Sequence, residues 1–166
     1  MDPLQKDDVP YGDDWDSAAV VARWAAAADK KRPWRAQIRE YIADRVARVA
    51  PGTRVIELGS GPGFLAERVL QRCPHLASYT LLDFSDHMMA LSRERLALYP
   101  SASFVLASFK SEDWRRRVGG PFDCVVSHAG GSRTAEQAAR TARIRAGSRD
   151  LGSRGISPDL RPHAVR

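Results

Sequence analysis

The chain has 166 residues, 43% hydrophobic and 28% charged, which fits one globular domain and excludes a wholly disordered polymer. Its net charge of +6 is unevenly placed: residues 131–166 hold eight arginines against three acids, with no lysine and no aromatic residue. The body is therefore close to neutral, and the basic character belongs to an appendage, so a nucleic-acid partner is not expected for the folded part.

Residues 1–16 carry six aspartates with Pro10 and Gly12 and read as a flexible acidic arm. They lack the basic and apolar regions of a signal peptide. Ser17 to Lys30 is alanine-rich and predicts a helix capped by Asp16 or Ser17. Its apolar part is interrupted by Arg23 and too short to span a bilayer, so no membrane is expected. Pro33 suits the first position of a second helix. Along it Trp34, Ile38, Tyr41, Ile42, Val46 and Val49 recur at three and four residues as one apolar stripe, until Pro51-Gly52 stops it.

From there strands and helices alternate. The β-branched run Arg54–Leu58 leads into Gly59-Ser60-Gly61-Pro62-Gly63 and a helix over Phe64–Arg72. Then come a strand at Tyr79–Asp83, a helix at Asp86–Leu98, a strand at Ala102–Leu106, a short helix at Glu112–Val118 and a strand at Phe122–Ser127. Such alternation predicts an α/β fold with a doubly wound parallel sheet. Cys73 and Cys124 have no Cys/His neighbours at metal-ligand spacing. They read as reduced, packed thiols of a cytoplasmic protein, with no metal.

The glycine loop stands between a buried strand and a helix, where open α/β sheets bind ligands. Glycines let the chain turn tightly and let a ligand approach the backbone. Asp83 closes the second strand, 20 residues after Gly63, where a carboxylate can accept both hydroxyls of a ribose. Glu57 stands two residues before the first glycine. A carboxylate there opposes a pyrophosphate and suits a ligand with cationic groups. Phe64 occupies the third-glycine place of the dinucleotide fingerprint, which disfavours an NAD-linked oxidoreductase, and no G-x-x-x-x-G-K-[ST] loop is present.

Glu57-Leu58-Gly59-Ser60-Gly61-Pro62-Gly63 resembles the E/D-x-G-x-G-x-G first motif of class I S-adenosylmethionine-dependent methyltransferases. Leu81-Leu82-Asp83-Phe84-Ser85 resembles their second motif, and Pro121-Phe122-Asp123-Cys124-Val125-Val126-Ser127 their fourth. The resemblance covers about residues 35–127 and implies a Rossmann-like parallel sheet, the first four strands of a seven-stranded fold. It implies S-adenosylmethionine as cofactor and transfer of its methyl group to an unknown acceptor, a small molecule or otherwise. Gly59, Ser60, Gly61 and Gly63 would line the methionine moiety, with Glu57 ordering the loop or meeting the amino group. Asp83 would hold the ribose and Phe84 the adenine. Ser108 stands where the family often has an acid reaching the adenine amino group.

Other roles stand beside these. Asp83 can simply cap the next helix, Glu57 can make a purely structural hydrogen bond, and Asp123 can fix the start of its strand. His128 falls just past the fourth strand, near the expected methyl-transfer site, without a catalytic role assigned. Trp15, Trp24, Trp34 and Tyr41 are expected to pack helices more than to roof a pocket. Arg115-Arg116-Arg117 reads as a solvated helix end.

Residues 17–128 thus form an incomplete methyltransferase domain, and residues 129–166 an Arg-rich tail expected to be disordered. The tail's few large aliphatics give too little burial to offset the backbone entropy. Read one base later, Ala129–Ala135 can spell Gln-Ala-Val-His-Glu-Leu-Arg, which resembles the segment after the fourth strand in some methyltransferases. A change of reading frame near codon 128 is therefore expected, with turnover impaired. The alternatives are a non-catalytic cofactor-binding fragment and an Arg-tailed module for nucleic acid or a partner.

Overall fold

A computed structural model describes residues 15–31, 33–108 and 111–128. The acidic arm, apart from its last two residues, and the Arg-rich tail lie outside the described residues. Chain order is α1 (Ala18–Lys31), α2 (Trp34–Val46), β1 (Arg54–Leu58), α3 (Phe64–Arg72), β2 (Ser78–Asp83), α4 (Asp86–Arg95), β3 (Ala102–Leu106), α5 (Trp114–Val118) and β4 (Cys124–Val126).

The four strands form one sheet in the order β3-β2-β1-β4, every neighbouring pair parallel. β1 and β2 sit inside it and are buried beyond their first residue, which fits their mostly apolar content. Side chains alternate between two cores. Val55, Tyr79 and Leu81 pack with Ala43 and Val46 of α2, Leu65 and Val69 of α3 and Met89 of α4. Ile56, Leu58 and Leu82 pack on the other face with Ala107 and Trp114. The sheet is thus Rossmann-like, with helices on both sides. Its order reverses at β1: the chain proceeds outward through β2 and β3, then β4 returns to the opposite side of β1. The crevice above the carboxyl ends of β1 and β4 is the switch point at which such sheets take ligands.

Three local readings change. Pro33 is the cap residue itself, in αR conformation with its carbonyl accepting the Ala36 N–H at 3.2 Å, and the helix begins at Trp34. The expected apolar stripe of α2 is only half buried. Trp34 and Tyr41 are 49% and 64% exposed, whereas Arg39, Ala43 and Val46 face inward. Trp34 and Tyr41 therefore lie outside the core, each with an arginine of the same helix over its ring, Arg35 and Arg45. Element ends also shift: α4 stops at Arg95, α5 starts at Trp114, and β4 is only Cys124–Val126. Asp123 does fix that strand, its Oδ2 accepting the Arg54 N–H at 2.9 Å while the Arg54 guanidinium pairs with both carboxylate oxygens. Cys73 and Cys124 are free thiols. Among the described residues no helix is long and apolar enough to cross a membrane.

Candidate functional site

The loop after β1 is built from three left-handed glycines, Gly59 (φ 66°), Gly61 (φ 54°) and Gly63 (φ 79°). Two of its amides fasten it to the end of β2: Gly59 and Ser60 both donate to the Leu82 carbonyl, at 2.8 and 3.0 Å. A third reaches the Asp83 side chain, whose Oδ2 accepts the Gly61 N–H at 2.8 Å. The other oxygen, Oδ1, accepts the Ser85 N–H at 3.0 Å, and Ser85 in turn caps α4 through its Oγ and the Met88 N–H. One buried carboxylate therefore ties the glycine loop to the start of α4. The cap of α4 is Ser85 and not Asp83, which holds the N–H of the cap residue instead.

The glycines serve different ends. A Cβ on Gly63 would lie 3.1 Å from the Ser92 Cβ, so this residue lets α3 and α4 approach. A Cβ on Gly61 would meet nothing within 4 Å. The backbone there faces open space beside Asp83, which is the geometry of a cradle. Ser60 is buried with its hydroxyl towards the Met89 sulfur, and its carbonyl accepts the Gly63 N–H at 3.3 Å, so it holds the shape of the loop.

Glu57 points into the core below the loop. It is 1% exposed, and its Oε2 accepts the Tyr79 hydroxyl at 2.8 Å. Burial pushes its carboxyl up to about 8, with the Tyr79 hydrogen bond lowering it and the Asp83 charge raising it. The same burial, with Glu57 close by, holds the Tyr79 hydroxyl well above its ordinary value. Glu57 is thus mostly uncharged at neutral pH. A carboxyl in this state gives the loop little negative charge at neutral pH, and the structural hydrogen bond weighed for Glu57 is the one to Tyr79.

Phe84 is half-buried directly after Asp83. Ser108 is half-buried two residues past β3, its carbonyl accepting the Ser111 N–H at 3.1 Å. β3 ends in register with β2, Leu106 opposite Asp83, and the Ala107 N–H donates to the Asp83 carbonyl at 2.9 Å. The loop, Asp83, Phe84 and Ser108 therefore gather at one edge of the sheet, with Glu57 one layer beneath.

Other residues at this edge carry no sequence motif. Phe64, the first residue of α3, lies between two guanidiniums, Arg39 at 5.2 Å and Arg95 at 4.3 Å from its ring centre. Arg95 also donates to the Pro62 carbonyl at 2.9 Å and pairs with Glu67 at 3.2 Å, bracing the loop from behind. Buried Arg39 pairs with Asp29 of α1. Ahead of α1, the Trp15 carbonyl accepts the Ser85 hydroxyl, and the His87 ring meets the Asp16 carbonyl. Trp15 and Trp24 meet edge to face at 5.4 Å, the helix packing expected of them. Nothing in the residue spacing pointed to the Arg39–Asp29 pair. On the β4 side, the Ser127 hydroxyl donates to the Leu58 carbonyl at 2.9 Å, placing His128 beside the loop.

A family profile described as a methyltransferase domain matches residues 55–149. Among solved structures, a Methanococcus maripaludis protein assigned to the S-adenosyl-L-methionine-dependent methyltransferases superposes with a TM-score of 0.53 at 19% identity, covering 78% of this chain and 59% of its own. An rRNA methylase from Streptococcus thermophilus superposes with a TM-score of 0.50 at 16% identity, covering 60% of this chain and 59% of its own. These likenesses bear on the fold alone, and this chain spans little more than half the length of either structure. No curated protein matches the chain. The matched profile covers more than half of the chain and takes in the glycine loop, Asp83 and all four strands: the chain belongs to the methyltransferase domain family.

Proposed function

We propose that the edge formed by Gly59, Ser60, Gly61, Gly63, Asp83, Phe84 and Ser108 binds S-adenosylmethionine, and that the chain is a methyltransferase for an acceptor still to be identified. The observation that carries this reading is the open backbone at Gly61, held by the Asp83 carboxylate. A carboxylate oxygen has lone pairs beyond the one given to Gly61, so Asp83 can hold the loop and still accept ribose hydroxyls. The Gly61 approach and the Phe84 ring take the remaining surfaces of an adenosyl-amino-acid ligand. Glu57, neutral and buried on Tyr79, supports the loop from below instead of meeting the ligand's charge.

Bound there, the cofactor supplies an electrophilic methyl carried on a sulfonium. The protein's part is to fix the loop, neutralise the ligand's positive charge with Asp83 and hold an acceptor over the β4 side of the crevice. Phe64 stands where a dinucleotide site needs its third glycine, so NAD is not the expected ligand. The described residues hold the cofactor edge. Weak or absent turnover by this chain alone follows if acceptor-side elements lie elsewhere. We place the protein in the cytoplasm and assign it no nucleic-acid partner.

Thermal unfolding with added S-adenosylhomocysteine tests the site. Ligand at 100 times its dissociation constant adds about 2.7 kcal/mol and raises Tm. Gly61→Val, which fills the open approach, should abolish the shift. An unchanged Tm in the native chain removes the proposal.

A further inference from the structure

The outer face of α2 carries residues that neither the fold nor the cofactor edge uses. Trp34, Ile38 and Tyr41 recur at helical spacing and are 49%, 40% and 64% exposed. Exposed Arg45, and Arg48 in the turn that follows, continue the same stripe. Arg45 lies 5.9 Å from the Tyr41 ring centre; at the other end Arg35 lies 5.9 Å from that of Trp34. The acids of the helix are directed elsewhere. Glu40 pairs with Arg68 and Arg72 of α3, and Asp44 with Arg72 at 3.1 Å. α2 thus turns its negative charge to α3 and shows an aromatic stripe with a positive rim.

Charge and size separate the occupants such a face could take. A second copy paired about a two-fold axis would bring the arginines of both stripes together. Three half-exposed side chains also fall far short of the roughly 800 Å² per partner of a stable interface. Residues 131–166, with eight arginines against three acids, carry the wrong sign. Residues 1–14 carry the right one: five aspartates against one lysine, with Leu4, Val9 and Tyr11 among them.

Their point of attachment fits as well. Trp15 meets Trp24 edge to face at 5.4 Å, and Arg35 bridges Trp24, at 5.5 Å, to Trp34. A row of ring contacts therefore leads from the place where the segment joins to the place where the stripe begins. From Trp34 to Tyr41 the stripe runs about 10 Å along the helix. Fourteen residues reach up to about 46 Å. α1, which carries Trp24, has only Val21 and Ala28 buried among its described side chains, so a strap from Trp15 to α2 gives it a second hold.

We propose that the outer face of α2 is the docking surface for the chain's own residues 1–14, whose aspartates meet Arg45 and Arg48 and whose apolar residues cover Trp34, Ile38 and Tyr41. This is independent of the cofactor reading.

Amide NMR of the full chain with a copper-binding Gly-Ser-His tag ahead of Met1 tests the proposal. Cu2+ on the tag should broaden the amides of Trp34 to Arg48 and leave sharp those of Ala102 and Ser103, which open the outer strand β3. Arg45→Glu combined with Arg48→Glu should abolish the broadening, and Arg45→Lys combined with Arg48→Lys should keep it. In the tagged chain of native sequence, 1 M salt cuts the screening length to about 3 Å and should remove most of it, which decides the matter if the Glu variant fails to fold. Sharp α2 amides with Cu2+ bound overturn the proposal, as does broadening that survives the Glu variant or the salt. Broadening seen only on untagged 15N chains mixed with tagged ones overturns it too, because the segment then docks on a second copy.

Discussion

At the scale of single residues, Gly61 and Gly63 of the loop separate binding from folding. Gly63→Ala adds a Cβ 3.1 Å from Ser92 at φ 79°, combining backbone strain with overpacking. Urea unfolding should show a loss of about 2–5 kcal/mol. Gly61→Ala carries strain alone, about 1–2 kcal/mol, because its Cβ enters open space. Its larger effect should be on S-adenosylhomocysteine binding, read by calorimetry. Glu57 predicts a pH dependence. Its carboxyl titrates near 8 when folded and near 4.5 when unfolded, so the stability it contributes is complete below pH 4.5 and declines as pH rises through 8. Glu57→Gln should flatten that decline in urea melts taken across this window. An unchanged slope would show that Glu57 is charged in the folded protein.

At the scale of elements, the capping of α4 by Ser85 can be tested directly. Ser85→Ala removes the acceptor for the Met88 N–H and should cost about 1 kcal/mol. Ser85→Asp should recover much of it in the same unfolding assay, since both residues make good caps. The strands and the loop were legible in the sequence because β1 and β2 are buried on both faces. Their composition, the glycines after Leu58 and the acid closing β2 all point one way. α2 was legible in part. Of the stripe picked by spacing, Val46 is buried and Ile42 and Val49 pack on the core, whereas Trp34, Ile38 and Tyr41 are exposed and Arg39 and Ala43 turn inward. An arginine is buried only with partners, and those of Arg39, Asp29 and the Phe64 ring, come from other elements. Likewise the role of Glu57 depended on Tyr79, a strand neighbour on β2 that spacing does not reveal.

At the scale of the whole molecule, the proposed cofactor edge is assembled by the sheet's reversal at β1, which sets the glycine loop between Asp83 and the end of β4. The family match runs to residue 149, past His128, whereas the codon reading expects a change of frame there. Resequencing codons 125–140 separates these: a corrected frame should supply further strands, and a confirmed frame leaves the in-frame match to stand. The most direct test is titration calorimetry of the native chain and of Asp83→Asn with S-adenosylhomocysteine, beside NAD. The native chain should bind S-adenosylhomocysteine and not NAD, and Asp83→Asn should weaken binding about 10- to 100-fold, the worth of a charge-assisted hydrogen bond. Binding of NAD, or equal S-adenosylhomocysteine affinity in both proteins, would contradict the site as assigned.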